Sequence, residues 1–298
     1  MGSAMRCDKI VWVLCMLSTP LFAGKVLSRL FAFIFFVTLS AQEPFTVVEV
    51  KDLPAPKQLI GVPTQLTELA KSFREGNRFL NSMWGRYAPA ARVLLFGKSG
   101  TGKTSIAYEF VRESNRASCS ITGEELYGTQ ERSGATIVKE LFKNAREYVR
   151  RENKDLVLIF DDMSAIFGAA KDKDAYKATR ATFIKELEEN ERVLGCRLCV
   201  LVLVDTGYIH DSVKKCFKDL TIEITAPTGS VAQDIFDAYL NKYKHEQLSF
   251  FDYWKLRSEF AAREMTGRDI EKLVRRAHVL SHGRKITKKH IFKAIKHS

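Results

Sequence analysis

Apolar residues fall along this chain in two rhythms, and the change from one to the other marks out its elements. Short continuous apolar runs occur at residues 92–96, 156–160 and 198–204, each the length of a strand buried on both faces. Residues 221–224 form a shorter one, ending at Ala226-Pro227. Between the runs the period lengthens. Residues 64 to about 80 carry a helical pattern, and residues 104–111 read as the start of another helix. After Pro227 the pattern is helical throughout. Val231, Ile235, Tyr239 and Tyr243 repeat at helical spacing, behind Ser230 and Gln233 in a capping-box arrangement. Residues 250–264 make a second helix. Thr266 with Asp269 caps a third, whose Ile270, Leu273, Val274 and Ala277 form one apolar face. Thr287 opens a short last helix to about Ile295. Strands alternating with helices predict a parallel sheet between helical layers, and the closing helices predict a separate lid.

The amino terminus follows neither rhythm. Residues 10–24 and 30–41 are apolar, with Lys25 and Arg29 between them. Each run is shorter than the roughly 20 residues that span a bilayer. A retained membrane anchor, a secretory signal ending at Leu39-Ser40-Ala41 and an organelle-targeting segment all fit. The anchor is the preferred reading for residues 1–41, ahead of a folded domain. It puts that domain in the cytoplasm or mitochondrial matrix; cleavage would instead give a secreted or lumenal protein. Pro44, Pro54 and Pro56 mark residues 42–58 as a linker. Residues 59–227 then form the α/β domain and 228–298 the lid.

Composition adds little to this picture except charge. At 298 residues, 46% hydrophobic and 28% charged, the chain is ordinary for a folded protein. Its net charge of +12 permits contact with nucleic acid or anionic lipid. Arg284, Lys285, Lys288, Lys289, Lys293 and Lys296 make a basic tail with no acid after Gly283. Six scattered cysteines give no disulfide framework, and Cys196 and Cys199 have no second pair to complete a metal site. His278 and His282 lack a third ligand and read as packing or surface residues.

The candidate chemistry sits after the first strand. Gly97-Lys98-Ser99-Gly100-Thr101-Gly102-Lys103-Thr104 fits the pattern Gly, four residues, Gly, Lys, then Ser or Thr, between a strand and a helix. Glycines let a backbone wrap a phosphate with its N–H groups turned inward, and the helix start adds a positive dipole end. Lys103 is placed to reach the β- and γ-phosphates of ATP, and Thr104 to offer a hydroxyl to Mg²⁺. The run at 156–160 delivers Asp161 and Asp162 at its carboxyl end. Asp161 suits Mg²⁺ and Asp162 suits the base that activates water. The fold class this implies is a P-loop NTPase αβα sandwich, a five-stranded parallel sheet with nucleotide at its carboxyl edge, plus a C-terminal helical lid.

These motifs, with Ile121-Thr122-Gly123, Ser133-Gly134-Ala135-Thr136 and Met265-Thr266-Gly267-Arg268-Asp269-Ile270, resemble those of the AAA+ ATPases from about Leu59 onward. Within them the chain is most similar to the mitochondrial inner-membrane family called AAA domain-containing protein 3, without that family's long coiled-coil region. The resemblance implies a homo-oligomeric ring acting on a protein substrate. It implies that Asp205, where the family usually has Asn, positions water near the γ-phosphate, and that Arg268 is a lid arginine touching that phosphate. The expected nucleotide-binding set is Ile60, Gly61, Gly97 through Thr104, and Ser105; the metal set is Thr104 and Asp161.

Departures from the family matter as much. Asp162 stands where most members have Glu, drawing the carboxylate back by about 1.5 Å. No arginine lies between residues 207 and 256, where the family sends an arginine finger to its neighbour, worth roughly 10³ to 10⁵ in rate. Lys214 or Lys215 would have to substitute. Gln130, Glu131 and Arg132 replace the aromatic pore tripeptide. The leading expectation is a membrane-anchored AAA ATPase coupling ATP binding, and slow hydrolysis, to ring assembly and partner remodelling. The alternatives are a hydrolysis-deficient nucleotide-gated module and a nucleic-acid-handling ATPase.

Overall fold

The computed structural model describes residues 45–53, 61–76, 92–127, 133–168, 174–194, 197–205, 209–217 and 220–296. The apolar run at 1–41, Ile60 and the segment 130–132 lie outside them. Among the described residues, no helix is long and apolar enough to cross a membrane.

Helix α1 (Thr64–Gly76) precedes strand β1 (Arg92–Phe96) and α2 (Lys103–Ser114). Then come β2 (Ala117–Thr122), α3 (Gly134–Glu152), β3 (Leu156–Asp161), the single turn α4 (Ser164–Phe167) and α5 (Asp174–Leu194). Strand β4 (Leu198–Val204), α6 (Asp211–Cys216) and β5 (Thr221–Glu223) complete the α/β part. The sheet has five strands, all parallel, in the order β2-β3-β4-β1-β5.

Strand alternation explains why the apolar runs are continuous. In β4, Leu198, Val200, Val202 and Val204 face a core built with α3, α5 and α6. Cys199, Leu201 and Leu203 face the other way, onto α1 and α2. Covered on both sides, the strand has no position for a polar side chain. The buried Cys199 is a packing residue in this wall. Stacked and edge-on rings of Phe142, Phe160, Phe167 and Phe183 fill the first core.

Four helices follow: α7 (Gly229–Leu240), α8 (Phe250–Ala262), α9 (Gly267–Leu280) and α10 (Lys288–Lys296). They bury a core of their own around Phe236, Leu256, Phe260, Ile270, Leu273 and Ile291. The expected cap of α9 is present in full: Thr266 Oγ1 accepts from Asp269 N–H, and the Asp269 carboxylate accepts from Thr266 N–H. Ser230, in contrast, caps nothing. Helix α7 begins at Gly229 with Thr228 before it, so Ser230 already lies inside the first turn. A second capping box, Ser249 with Asp252, opens α8. His278 stacks on the Tyr243 ring, with centroids 4.3 Å apart.

Candidate functional site

The carboxyl ends of β1, β3 and β4 and the start of α9 converge on one cleft of about 950 Å³. That volume is within the range of small-molecule sites. It is lined by the loop residues Ser99 through Ser105 and by Asp161, Asp162, Asp205 and Arg268.

The loop leaves β1 through Gly97, whose φ of +152° and neighbour decide its identity. A Cβ there would meet the Ile224 carbonyl oxygen at 2.2 Å, a backbone atom that cannot yield. At the far side Gly100, φ +85°, lies against Arg268 and Thr266 of the lid, and Arg268 N–H donates to Gly100 O at 3.2 Å. The loop is thus fixed to the sheet at one end and to the lid at the other. Arg268 Nη1 also donates to Ser99 Oγ, at 3.2 Å.

Lys103 begins α2 and is only 5% exposed. Its ammonium donates to Gly97 O and Lys98 O, both at 3.0 Å. Its third acceptor is Asp205 Oδ1, at 2.6 Å. An ammonium has three hydrogens, so all are engaged. Asp205 follows β4 directly, its own N–H held by Ser164 Oγ at 2.8 Å. The neighbouring register of β1 and β4 brings Lys103 and Asp205 together.

Thr104 Oγ1 donates to Asp161 Oδ2 at 2.9 Å, and Asp162 N–H donates to Asp161 Oδ1 at 2.9 Å. Burial raises the pKa of Asp161; these two hydrogen bonds oppose the rise, while the charges of Asp162 and Asp205 reinforce it. A carboxylate held short of counter-charge beside a hydroxyl is a donor set that fits Mg²⁺. Asp162 itself has φ +51°, the left-handed region, which Asp tolerates better than most residues. Its side chain is exposed to the cleft.

The sequence-predicted residues divide plainly. Lys103, Thr104, Asp161, Asp162, Asp205 and Arg268 share the cleft. Gly97 and Lys98 contribute their carbonyl oxygens behind it. Gly61 lies against Val231 at the start of α7. Lys214 and Lys215 are exposed on α6. The lid-side wall is Ile235, Ala238, Tyr239 and Lys242, which the helical spacing of Tyr239 and Tyr243 marks only as an apolar helix face. Lys242 Nζ sits 4.6 Å from the Tyr239 ring centroid, so the wall is aromatic with a cation over it. A tyrosine in the last turn of the first lid helix, with a lysine three residues on and just past its end, is the signal in the sequence.

Comparison with known proteins agrees with this geometry. Residues 93–217 match the model of the ATPase family associated with various cellular activities (AAA). Among curated relatives, it is 25% identical to vacuolar protein sorting-associated protein 4B of Mus musculus, over 67% of this chain and 44% of that protein. It is 26% identical to a proteasome-activating nucleotidase of Methanococcus vannielii, over 61% of this chain and 44% of that one. It is 36% identical to proteasome-activating nucleotidase 1 of Haloferax volcanii over a shorter stretch, 26% and 18% of the two chains. The chain spans less than half the length of these relatives. In fold it is similar to the FIGL-1 AAA domain in complex with ADP, with a TM-score of 0.68 at 18% identity, covering 93% of this chain and 92% of that one.

Proposed function

We propose that this chain binds ATP with Mg²⁺ in the cleft between sheet and lid, and couples binding and slow hydrolysis to ring assembly and remodelling of a protein partner. The observation that carries the reading is the convergence of Lys103, the Thr104–Asp161 pair and Arg268 on one cleft. The curated relatives, named for proteasome activation and vacuolar protein sorting, support a protein partner. The ADP complex of a structural neighbour supports a nucleotide occupant.

Thr104 and Asp161 are the residues that would hold Mg²⁺, which would supply counter-charge to the phosphates. The loop N–H groups and the start of α2 bind the phosphates. Asp162, open to the cleft, takes a proton as water adds to the γ-phosphorus and the bond to the ADP oxygen breaks. Arg268, on the lid, senses the γ-phosphate through its guanidinium. Lys214 or Lys215 of a neighbouring subunit supplies the missing cation as a point charge. We extend the proposal to an anchor within residues 1–41 and to kinship with the AAA domain-containing protein 3 family, on the motifs quoted above.

A second reading, a nucleotide-gated module with negligible turnover, is favoured by one specific contact. Asp205 occupies the lysine that a γ-phosphate needs. Phosphate release measured across protein concentrations, with Lys103→Ala as the blank, separates the two. Turnover that climbs with concentration and is absent in the blank supports a working ring. Tight ATP binding without turnover supports the gated module. Absence of nucleotide binding refutes both.

A further inference from the structure

Helix α8 has one face buried and one face bare. Leu256 and Phe260 point into the lid core, where Phe260 meets Phe236 with centroids 5.7 Å apart. Tyr253 is tied back to Asp237 by a 2.8 Å hydrogen bond. On the opposite side Phe250, Phe251 and Trp254 are 77%, 79% and 65% exposed. Ser258, Ala261 and Ala262 continue the same side toward the carboxyl end, all exposed and all uncharged. Three large aromatics at such exposure within five residues are far from the scattered single apolar residues of an ordinary surface.

The bare side is bordered by positive charge. Lys255 leans toward α10, its Nζ 4.9 Å from the Phe292 ring centroid, so α8 and α10 are neighbours. Helix α10 buries Ile291, Ala294 and Ile295 and exposes Lys288, Lys289, Lys293 and Lys296. By helical spacing Lys289, Lys293 and Lys296 share the side away from the core. The nearby acids are engaged elsewhere. Asp252 holds the Ser249 cap, Glu246 accepts from Lys288 N–H, and Glu259 pairs with Arg263. The segment 244–246 is bonded to Ile286, which fixes the start of the basic tail beside the start of α8.

We propose that this face of the lid docks on the surface of a bilayer carrying anionic lipid. The aromatic rings enter the interfacial layer and the lysines of α10 meet the headgroups. Charge complementarity favours this occupant, because the border is basic and its acids are held in hydrogen bonds or an ion pair within the lid. Shape favours it as well. The rings of Phe250 and Phe251, 6.0 Å apart and nearly perpendicular, stand out from the helix as points. A bilayer accommodates projecting points, and Trp and Phe beside lysine are the residues that bind such interfaces.

The test uses the full chain with Trp12→Phe and Trp84→Phe, which leaves Trp254 as the one reporter among the three tryptophans. Vesicles of phosphatidylcholine with and without about one-third phosphatidylserine are added, with brominated acyl chains as quenchers. Trp254 emission is expected to shift to the blue and be quenched on the anionic vesicles, and to stay unchanged on neutral ones. Lys289→Gln with Lys293→Gln is expected to lower the partition coefficient about tenfold or more. Phe250→Ser with Phe251→Ser should lower it similarly while leaving the melting temperature unmoved, since both rings are outside the core. Unchanged Trp254 emission while the chain sediments with vesicles through its amino end would overturn the proposal. So would a blue shift that grows with protein concentration in the absence of lipid, which would assign the face to a second copy.

Discussion

Replacing Asp205 by Asn keeps size and one acceptor oxygen but removes the charge from Lys103's partner. The consequence for nucleotide choice follows from counting donors. Lys103 has three hydrogens and three acceptors, at 3.0, 3.0 and 2.6 Å. A γ-phosphate oxygen must share the ammonium with Asp205 or expel it. Two oxygens on one tetrahedral ammonium lie roughly 4.5 Å apart. At that separation like charges repel by about 2–4 kcal/mol in a partly wet site. Asp205 is 36% exposed, and screening brings the figure toward the lower end. About 2 kcal/mol corresponds to roughly 30-fold in affinity. Asp205→Asn should therefore tighten ATP binding by about 30-fold and ADP binding much less, because ADP ends one phosphate short. Calorimetric titration of wild type and variant with each nucleotide, at fixed Mg²⁺ and salt, reads the ratio directly. An ATP-to-ADP affinity ratio that moves by less than about threefold, or moves toward ADP, refutes the donor-counting argument. A variant that binds neither nucleotide, like its parent, refutes the assignment of the cleft itself.

Other perturbations test other parts. Asp162→Glu lengthens the reach toward water but puts Glu in a left-handed backbone; turnover should rise at least tenfold while the melting temperature falls by a few degrees, seen in parallel phosphate-release and thermal scans. Gly97→Ala drives a methyl group into the Ile224 carbonyl and should cost about 2–3 kcal/mol in urea unfolding, with loss of ATP binding. Ser249→Ala removes a cap worth about 1 kcal/mol. Ser249's side-chain hydrogen bond holds the Asp252 carboxyl below its usual range, so that stabilisation is present above the ordinary carboxylate pKa and is lost as pH falls through the depressed folded value. The gap in melting temperature between wild type and Ser249→Ala should narrow from pH 6 toward pH 3; a constant gap would deny Asp252 its part.

What the sequence disclosed was what local order dictates. Residues 92–104 carry strand, glycine turn and helix start in one continuous stretch, and 156–162 carry a strand with its two acids, so both halves of the phosphate site could be read directly. The Lys103–Asp205 pair could not, because it depends on β4 lying beside β1, and strand order is a long-range choice that a linear pattern does not encode. The lid wall of Tyr239 and Lys242 was hidden for another reason. Helical spacing shows that α7 has an apolar side, but not that part of that side closes a cleft. Ser230 misleads because a capping-box pattern two residues past the cap reads the same in sequence as one at the cap, and only the backbone at Thr228 and Gly229 decides. The bare side of α8 was legible as a run of aromatics, but the run alone does not say which way they point.

The bond from Arg268 N–H to Gly100 O joins the lid's third helix to the glycine loop through main-chain atoms, where no side-chain replacement short of proline at 268 removes it. Gly100 has no room for a Cβ against Thr266 and Arg268, so the joint is tight as well as bonded. With that joint the four lid helices are placed to act as a lever whose fulcrum is the glycine loop. On the proposed function, a small displacement of that loop would be magnified along the length of α9, and a load at the far end of the lid would be returned to the loop. Grip and lever angle are a single mechanical variable, read at either end.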